Sequence, residues 1–296
     1  MDLPHNHSHE HARDTAGNLK LAFFLNLGFT LLEIFGGLWT NSVAILSDAV
    51  HDLGDSLSLG LAWLLDRYAS REPDKRFSYG YRRFSLLGAL LNTIILIVGA
   101  VFVLSEAIPR LFNPEHSNAQ GMILFALLGI LVNGAAVLRL RGSKTLNAQV
   151  VAWHLLEDVL GWIAVLVVGI VLLFTDIHIL DPALSILITV YVLYNVVKNL
   201  RKTLSLFLQG VPEHIDVEYI EEEINRVDNV RSNHHTHVWS LDGEHHVLTT
   251  HVVVDEKTTR EQILCVKEDI KKLLRPYELS HITVEIEYGE QDCAMG

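Results

Sequence analysis

Thiols are scarce in this chain: its 296 residues include two cysteines, Cys265 and Cys293, both near the C-terminus. That excludes a disulfide framework and a Cys-x-x-Cys metal pair, and it leaves transition-metal chemistry to histidine, of which there are 16. Basic charge is also short. The formal net charge is −12 with His neutral, which argues against a nucleic-acid partner, since that would call for a basic face. Gly-rich phosphate loops and kinase motifs are missing. The first 17 residues, MDLPHNHSHEHARDTAG, lack the basic start, short apolar stretch and small-residue cleavage site of a secretory signal. The first apolar run is therefore expected to stay in the mature protein.

What the chain has in abundance is apolar length. Hydrophobic residues make up 50% of it, and six apolar segments are readable: Leu19–Thr40, Ser42–Leu65, Phe84–Ile108, Gly121–Leu138, Val150–Phe174 and Pro182–Val197. Each is near the ~20 residues that a helix needs to cross the hydrocarbon core. The expected fold class is an α-helical membrane protein with six transmembrane helices over residues 18–209, preceded by a flexible His-rich tail over 1–17. The first two helices should form a tight hairpin about Thr40-Asn41-Ser42. Basic residues gather on one side. Arg67, Arg71, Lys75, Arg76, Arg82 and Arg83 lie between segments two and three, Arg139, Arg141 and Lys144 after segment four, and Lys198, Arg201 and Lys202 after segment six. The opposite loops offer only Arg110. The positive-inside rule then puts both termini in the cytoplasm, in an inner or plasma membrane.

Beyond Leu200 the pattern changes. An acidic amphipathic helix near Asp216–Val227 precedes strand-like runs at Thr236–Leu241 and His246–Val254, joined by the hairpin signal Asp242-Gly243. A helix near Thr259–Leu274, capped by Thr258 or Thr259, and a strand at Ile282–Tyr288 follow. This order predicts a small α+β, ferredoxin-like domain over 210–296, with both helices on one face of a three-stranded sheet. At that size, dimerisation would help it to hold a core.

The most informative feature is a spacing that occurs twice. His51 and Asp55 stand four apart in the second segment, and so do His154 and Asp158 in the fifth. Four residues turn a helix by 400°, so each pair shares one face. An Asp at the centre of a spanning helix costs about 2.5–3.5 kcal/mol, so something must offset it. If the two faces meet, two imidazoles and two carboxylates converge, a set that suits four-coordinate Zn²⁺. Cd²⁺, Co²⁺, Fe²⁺ and Mn²⁺ also accept these ligands, whereas soft Cu(I) would want thiol. Asp48 lies near the face of the first pair, as an outer partner. Asp52 and Glu157 are rotated away, and Glu33 is either part of a polar pathway or a helix–helix hydrogen bond.

These residues carry a resemblance. LLEIFGGLWTNSVAILSDAVHDLGDSLSL (Leu31–Leu59), RFSYGYRRFSLLGALLN (Arg76–Asn92), HLLEDVLGW (His154–Trp162) and DPALSILI (Asp181–Ile188), with HVWSL and LTTHVVV in the C-terminal part, resemble the cation diffusion facilitator family in order and over nearly the whole chain. The zinc–cobalt–cadmium branch is the nearest fit. The resemblance implies a homodimeric, proton-coupled exporter of divalent metal in the lipid bilayer, and not an enzyme. Zn²⁺ would be carried at His51, Asp55, His154 and Asp158. It also implies cytoplasmic metal ligands at His237, His251 and Glu287, with His281 and Glu285 as further candidates. The chain departs from the family at Tyr81, where a His often stands, which leaves only Asp74 nearby and speaks against an extra metal site in that loop. It departs again at Ser85, usually Glu.

Other histidines are read from position. His5, His7, His9 and His11 alternate in the tail, where they either gather metal loosely or are simply solvated. His234, His235, His237, His245, His246 and His251 crowd the hairpin. Strand pairing is expected to bring His237 to His251, with the others at the rims. His116 and His178, in the outer loops, are expected to face solvent, with a role at the exit as the alternative. Two rival readings are a membrane-embedded metal hydrolase, for which Glu157 is the nearest general base, and a metal-sensing membrane protein. A pH-driven metal flux across liposomes separates them from a transporter.

Overall fold

The computed structural model describes residues 8–69, 71–140, 146–289 and 293. The chain divides into two compact units, Met1–Asp66 with Gly88–Leu200, and Arg67–Leu87 with Arg201–Gly296. The second unit thus takes in the arginine-rich loop as well as the C-terminal part.

Six long helices account for the apolar segments: α1 Ser8–Thr40, α2 Val43–Ala69, α3 Phe84–Phe112, α4 Ala119–Leu140, α5 Leu146–Phe174 and α6 Leu180–Phe207. The first starts at Ser8, so helix replaces much of the expected flexible tail, of which residues 1–7, with His5 and His7, lie outside the described residues. Arg141 and Lys144 lie outside them too. Among the described residues, five helices are long and apolar enough to cross a membrane. The exception is α2, because it carries Asp48, Asp52 and Asp55 in its first half. The α1–α2 turn is as expected. Asn41 takes a left-handed φ of 53°, and Ser42 N–H reaches back to Gly37 O at 3.0 Å, ending α1 in a Schellman-like turn. Ser42 Oγ then caps α2 by accepting from Ile45 N–H at 3.3 Å.

Small residues let the helices approach. Ala44, Ile45, Met122, Ala126, Trp162, Val165 and Leu172 form one buried cluster joining α2, α4 and α5. Trp162, 1% exposed, fills the space beside Gly129, where an added Cβ would lie 2.3 Å from the indole. Gly129→Val should therefore wedge α4 from α5 at a cost of about 1–3 kcal/mol. A lower unfolding temperature of the purified protein is expected, and an unchanged one would count against this contact.

The second unit follows the order helix–strand–strand–helix–strand: α7 Val217–Asn225, β1 Val230–Ser240, β2 His246–Val254, α8 Arg260–Leu273 and β3 Leu279–Tyr288. The sheet order is β1-β2-β3, with β1 and β2 antiparallel and β2 and β3 parallel. The parallel pair requires a crossover, and α8 supplies it. Asp216 caps α7, and Thr259 forms a capping box with Gln262 on α8. Asp242 and Gly243 (φ 105°) make the hairpin turn. Ile220, Ile224, Val266 and Ile270 of the helices pack on Val238, Leu248, Val252 and Val254 of the sheet. Both helices thus cover one face, and alternate residues of each strand are left to the other face.

Candidate metal centres

The repeated spacing does what the helix geometry implies. His154 Nε2 lies 2.9 Å from Asp55 Oδ2, joining α5 to α2. His51 Nε2 lies 3.7 Å from the same oxygen and 4.0 Å from Asp158 Oδ1. The two imidazole rings meet edge to face at 5.5 Å between centroids. A tetrahedron with Zn–ligand bonds of ~2.0–2.1 Å has edges of ~3.3 Å, and these separations bracket that length. His51, Asp55 and His154 offer ligand atoms all within 4.8 Å of one another. Asp158 joins through its approach to His51 and is 8% exposed, the most buried of the four.

More acid surrounds this group than two pairs alone provide. Glu33, Asp48 and Asp52 are all buried, at 1%, 5% and 5% exposure. Among the described residues, Asp48 Oδ2 and His51 Nδ1 are buried without a hydrogen-bond partner. Asp48 Oδ1 faces α5, 3.6 Å from where a Cβ on Gly161 would stand. Beside them runs a polar seam between α1 and α2, in which Asn26 donates to Asp52 O at 3.2 Å and to Ser56 Oγ at 3.0 Å. Thr30 Oγ1 lies 3.3 Å from Ser56 Oγ. Buried carboxylates with spare oxygens suit protons or a dication. Glu157, the base that the hydrolase reading requires, is turned elsewhere and accepts from Tyr191 OH at 3.2 Å.

In the second unit the uncovered sheet face holds another cluster, differently composed from the expected one. Val252 and Leu248 point to the helices, so His251 points the other way, as do Glu285 and Glu287 on β3. His251 Nδ1 is 2.7 Å from Glu287 Oε1, and its Nε2 is 3.4 Å from Glu285 Oε2. On β1, however, His234 pairs with His251, and His237 pairs with Thr249. A bulge between His234 and His237, with His235 at φ 51°, shifts the register. His234 Nε2 thereby reaches Glu287 Oε2 at 3.1 Å. His237 instead lines a cavity with Trp239 and Thr249, and His281 contacts Thr283 and Tyr79. The strand pairing thus differs from the expected one: His234, not His237, stands across from His251.

Cys293 is the other addition. His234, His251, Glu287 and Cys293 offer ligand atoms within 4.8 Å of one another. The sequence signal was present only as a lone thiol six residues past Glu287, with no motif to mark it. Two imidazoles, a carboxylate and a thiol suit Zn²⁺ or Cd²⁺. Glu287→Gln should lower the Zn²⁺ retained by the purified chain after gel filtration, and unchanged retention would remove this carboxylate from the set. The loop at Asp74 differs. Tyr81 OH donates to its Oδ2 at 2.7 Å, and with the N–H groups of Phe77 and Arg76 this holds the Asp74 carboxyl below its ordinary range. Its oxygens accept the hydrogen bonds that shape the loop.

Comparison with known proteins covers nearly the whole chain. The profile described as the cation efflux transmembrane domain matches residues 19–208, and that of the cation efflux protein cytoplasmic domain matches residues 212–288. The chain is 33% identical to the zinc transporter ZitB of Pectobacterium atrosepticum, over 98% of this chain and 91% of that protein. It is 33% identical to the metal cation efflux system protein CzcD of Cupriavidus metallidurans, over 95% and 89% of the two chains. With the cadmium, cobalt and zinc/H(+)-K(+) antiporter of Bacillus subtilis it shares 31% identity, over 91% and 88%.

Proposed function

We propose that this chain, which belongs to the cation efflux family of membrane transporters, exports Zn²⁺ in exchange for protons through a site made by His51, Asp55, His154 and Asp158. Family membership makes it a transporter and not an enzyme. The observation that carries the finer reading is the convergence of two His-x-x-x-Asp pairs from α2 and α5, with separations of 2.9–4.0 Å. Relatives named for zinc, and for cadmium, cobalt and zinc, support Zn²⁺ as cargo with Cd²⁺ and Co²⁺ as companions. Donors of two nitrogens and two oxygens support the same choice.

Metal ligation takes neutral imidazole and ionised carboxylate, so each bound ion displaces protons and each arriving proton competes with the ion. On the cytoplasmic side the site sheds protons and loads metal. On the other side protons return and the ion leaves. Only a moderately tight site serves such a cycle. Here the ligands sit on two separate helices and three of the four are partly exposed, so a small relative movement of α2 and α5 loosens the set. We place α2 across the membrane with the other five, because its acidic groups are turned to α1 and α5. Both termini then lie in the cytoplasm. The C-terminal unit acts as a dimerising brace whose cluster at His234, His251 and Glu287 responds to cytoplasmic metal. Zn²⁺ flux in proteoliposomes tests the reading: pH-driven uptake by the unaltered chain is expected, and its absence for every divalent metal would overturn it.

A further inference from the structure

At the end of the bundle where α1 meets α2, a buried carboxylate ties the turns together. Asp181, fully buried at the start of α6, accepts from Ser42 Oγ at 2.5 Å, Val43 N–H at 2.8 Å and Ser117 Oγ at 3.4 Å. Asn118 N–H donates to Thr40 O at 2.8 Å, and Arg110 donates to Asn41 O at 3.1 Å. Against this frame two imidazoles of the outer loops meet. His116 comes from the α3–α4 connection and His178 from the α5–α6 connection. His116 Nδ1 and His178 Nε2 lie 2.8 Å apart, and the ring centroids 4.3 Å apart. A hydrogen bond between them needs a free lone pair on one nitrogen. The other ring nitrogen of His178, Nδ1, is buried without a partner, so its contact with His116 is the polar contact that orients this ring.

We propose that His116 and His178 form a separate, weak site for a transition-metal dication where the exported ion leaves the bundle. The cargo and direction rest on the exporter reading above. Tetrahedral Zn²⁺ with bonds of ~2.0–2.1 Å sets two imidazole nitrogens ~3.3 Å apart. The pair therefore opens by roughly half an ångström, and the ion takes the place of the shared proton. His116 is exposed and free to make that adjustment. Glu115 does not complete the set. Its Oε2 accepts from Asn41 Nδ2 at 3.1 Å and lies 3.2 Å from Arg110 Nη2. Water fills the remaining positions, and two protein ligands give the low affinity that an exit requires.

The test counts Zn²⁺ bound to the full chain in nanodiscs on two backgrounds, unaltered and carrying Asp158→Ala with His251→Ala. On both, His116→Gln with His178→Gln should remove one weakly held ion per chain. The loss in affinity should exceed the about 10–100-fold seen when only an outer-shell partner is changed. His116→Gln alone, at an exposed ring, should do the same without disturbing the fold. Co²⁺ added to the second background should give tetrahedral absorption bands that this variant abolishes. Unchanged Zn²⁺ stoichiometry and Co²⁺ spectra would show a hydrogen-bonded pair only and end the proposal. Flux by the unaltered chain decides the exporter reading independently.

Discussion

Asp158→Ala should leave the protein inserted and folded, and should reduce Zn²⁺ flux by more than the about 10–100-fold typical of an outer-shell change at a metal site. The fold should survive because this carboxylate is nearly buried and, among the described residues, its ion-pair partner is His51, 4.0 Å away. Removing a poorly paired charge from a spanning helix lifts an insertion cost of about 2.5–3.5 kcal/mol, so the variant should insert at least as readily. Transport should fail because a tetrahedral ion loses one of four donors, and loses the one that α5 places against His51 of α2. His51→Ala should behave alike, and the double variant should be little worse than either single one, as groups acting as a unit do. Normal flux in both single variants would remove the proposed site.

The second large effect concerns protons. With Zn²⁺ supplied on the side of the arginine-rich loop, acidifying that side should slow flux, and acidifying the far side should speed it. The sign follows from competition: on the loading side protons occupy the imidazoles and carboxylates that metal needs, and on the release side they evict it. Below a ligand's pKa, each competing proton weakens binding about tenfold per pH unit. A trapped pH dye should record protons moving against the metal. Flux indifferent to pH on either side would leave an exporter but not an antiporter.

How far the sequence reached depended on what each feature costs. His51, Asp55, His154 and Asp158 were legible because ionisable groups in apolar helices are expensive and therefore conspicuous, and because the helical period fixes which of them share a face. The C-terminal unit was legible in its order of elements, since the hairpin signal Asp242-Gly243, the acidic amphipathic helix beginning near Asp216 and the cap candidate Thr259 each signal locally. The strand site was not. Which histidine of His234, His235 and His237 faces His251 turns on one extra residue in β1, and a slip of one residue exchanges the faces of a strand. Cys293 joins that site only through tertiary folding, as do residues 67–87, which cluster with the C-terminal unit. The aspartates that make α2 the candidate site helix also leave it out of the helices apolar enough to span, so the feature that suggests its chemistry hides its span.

The most direct measurement is a zinc anomalous-scattering map of the full-length protein crystallised with Zn²⁺. The account expects a peak between α2 and α5 within bonding distance, ~2.0–2.2 Å, of both imidazoles and both carboxylates of the tetrad. Zinc held elsewhere in the membrane unit, with His51 and Asp55 turned from His154 and Asp158, would contradict it.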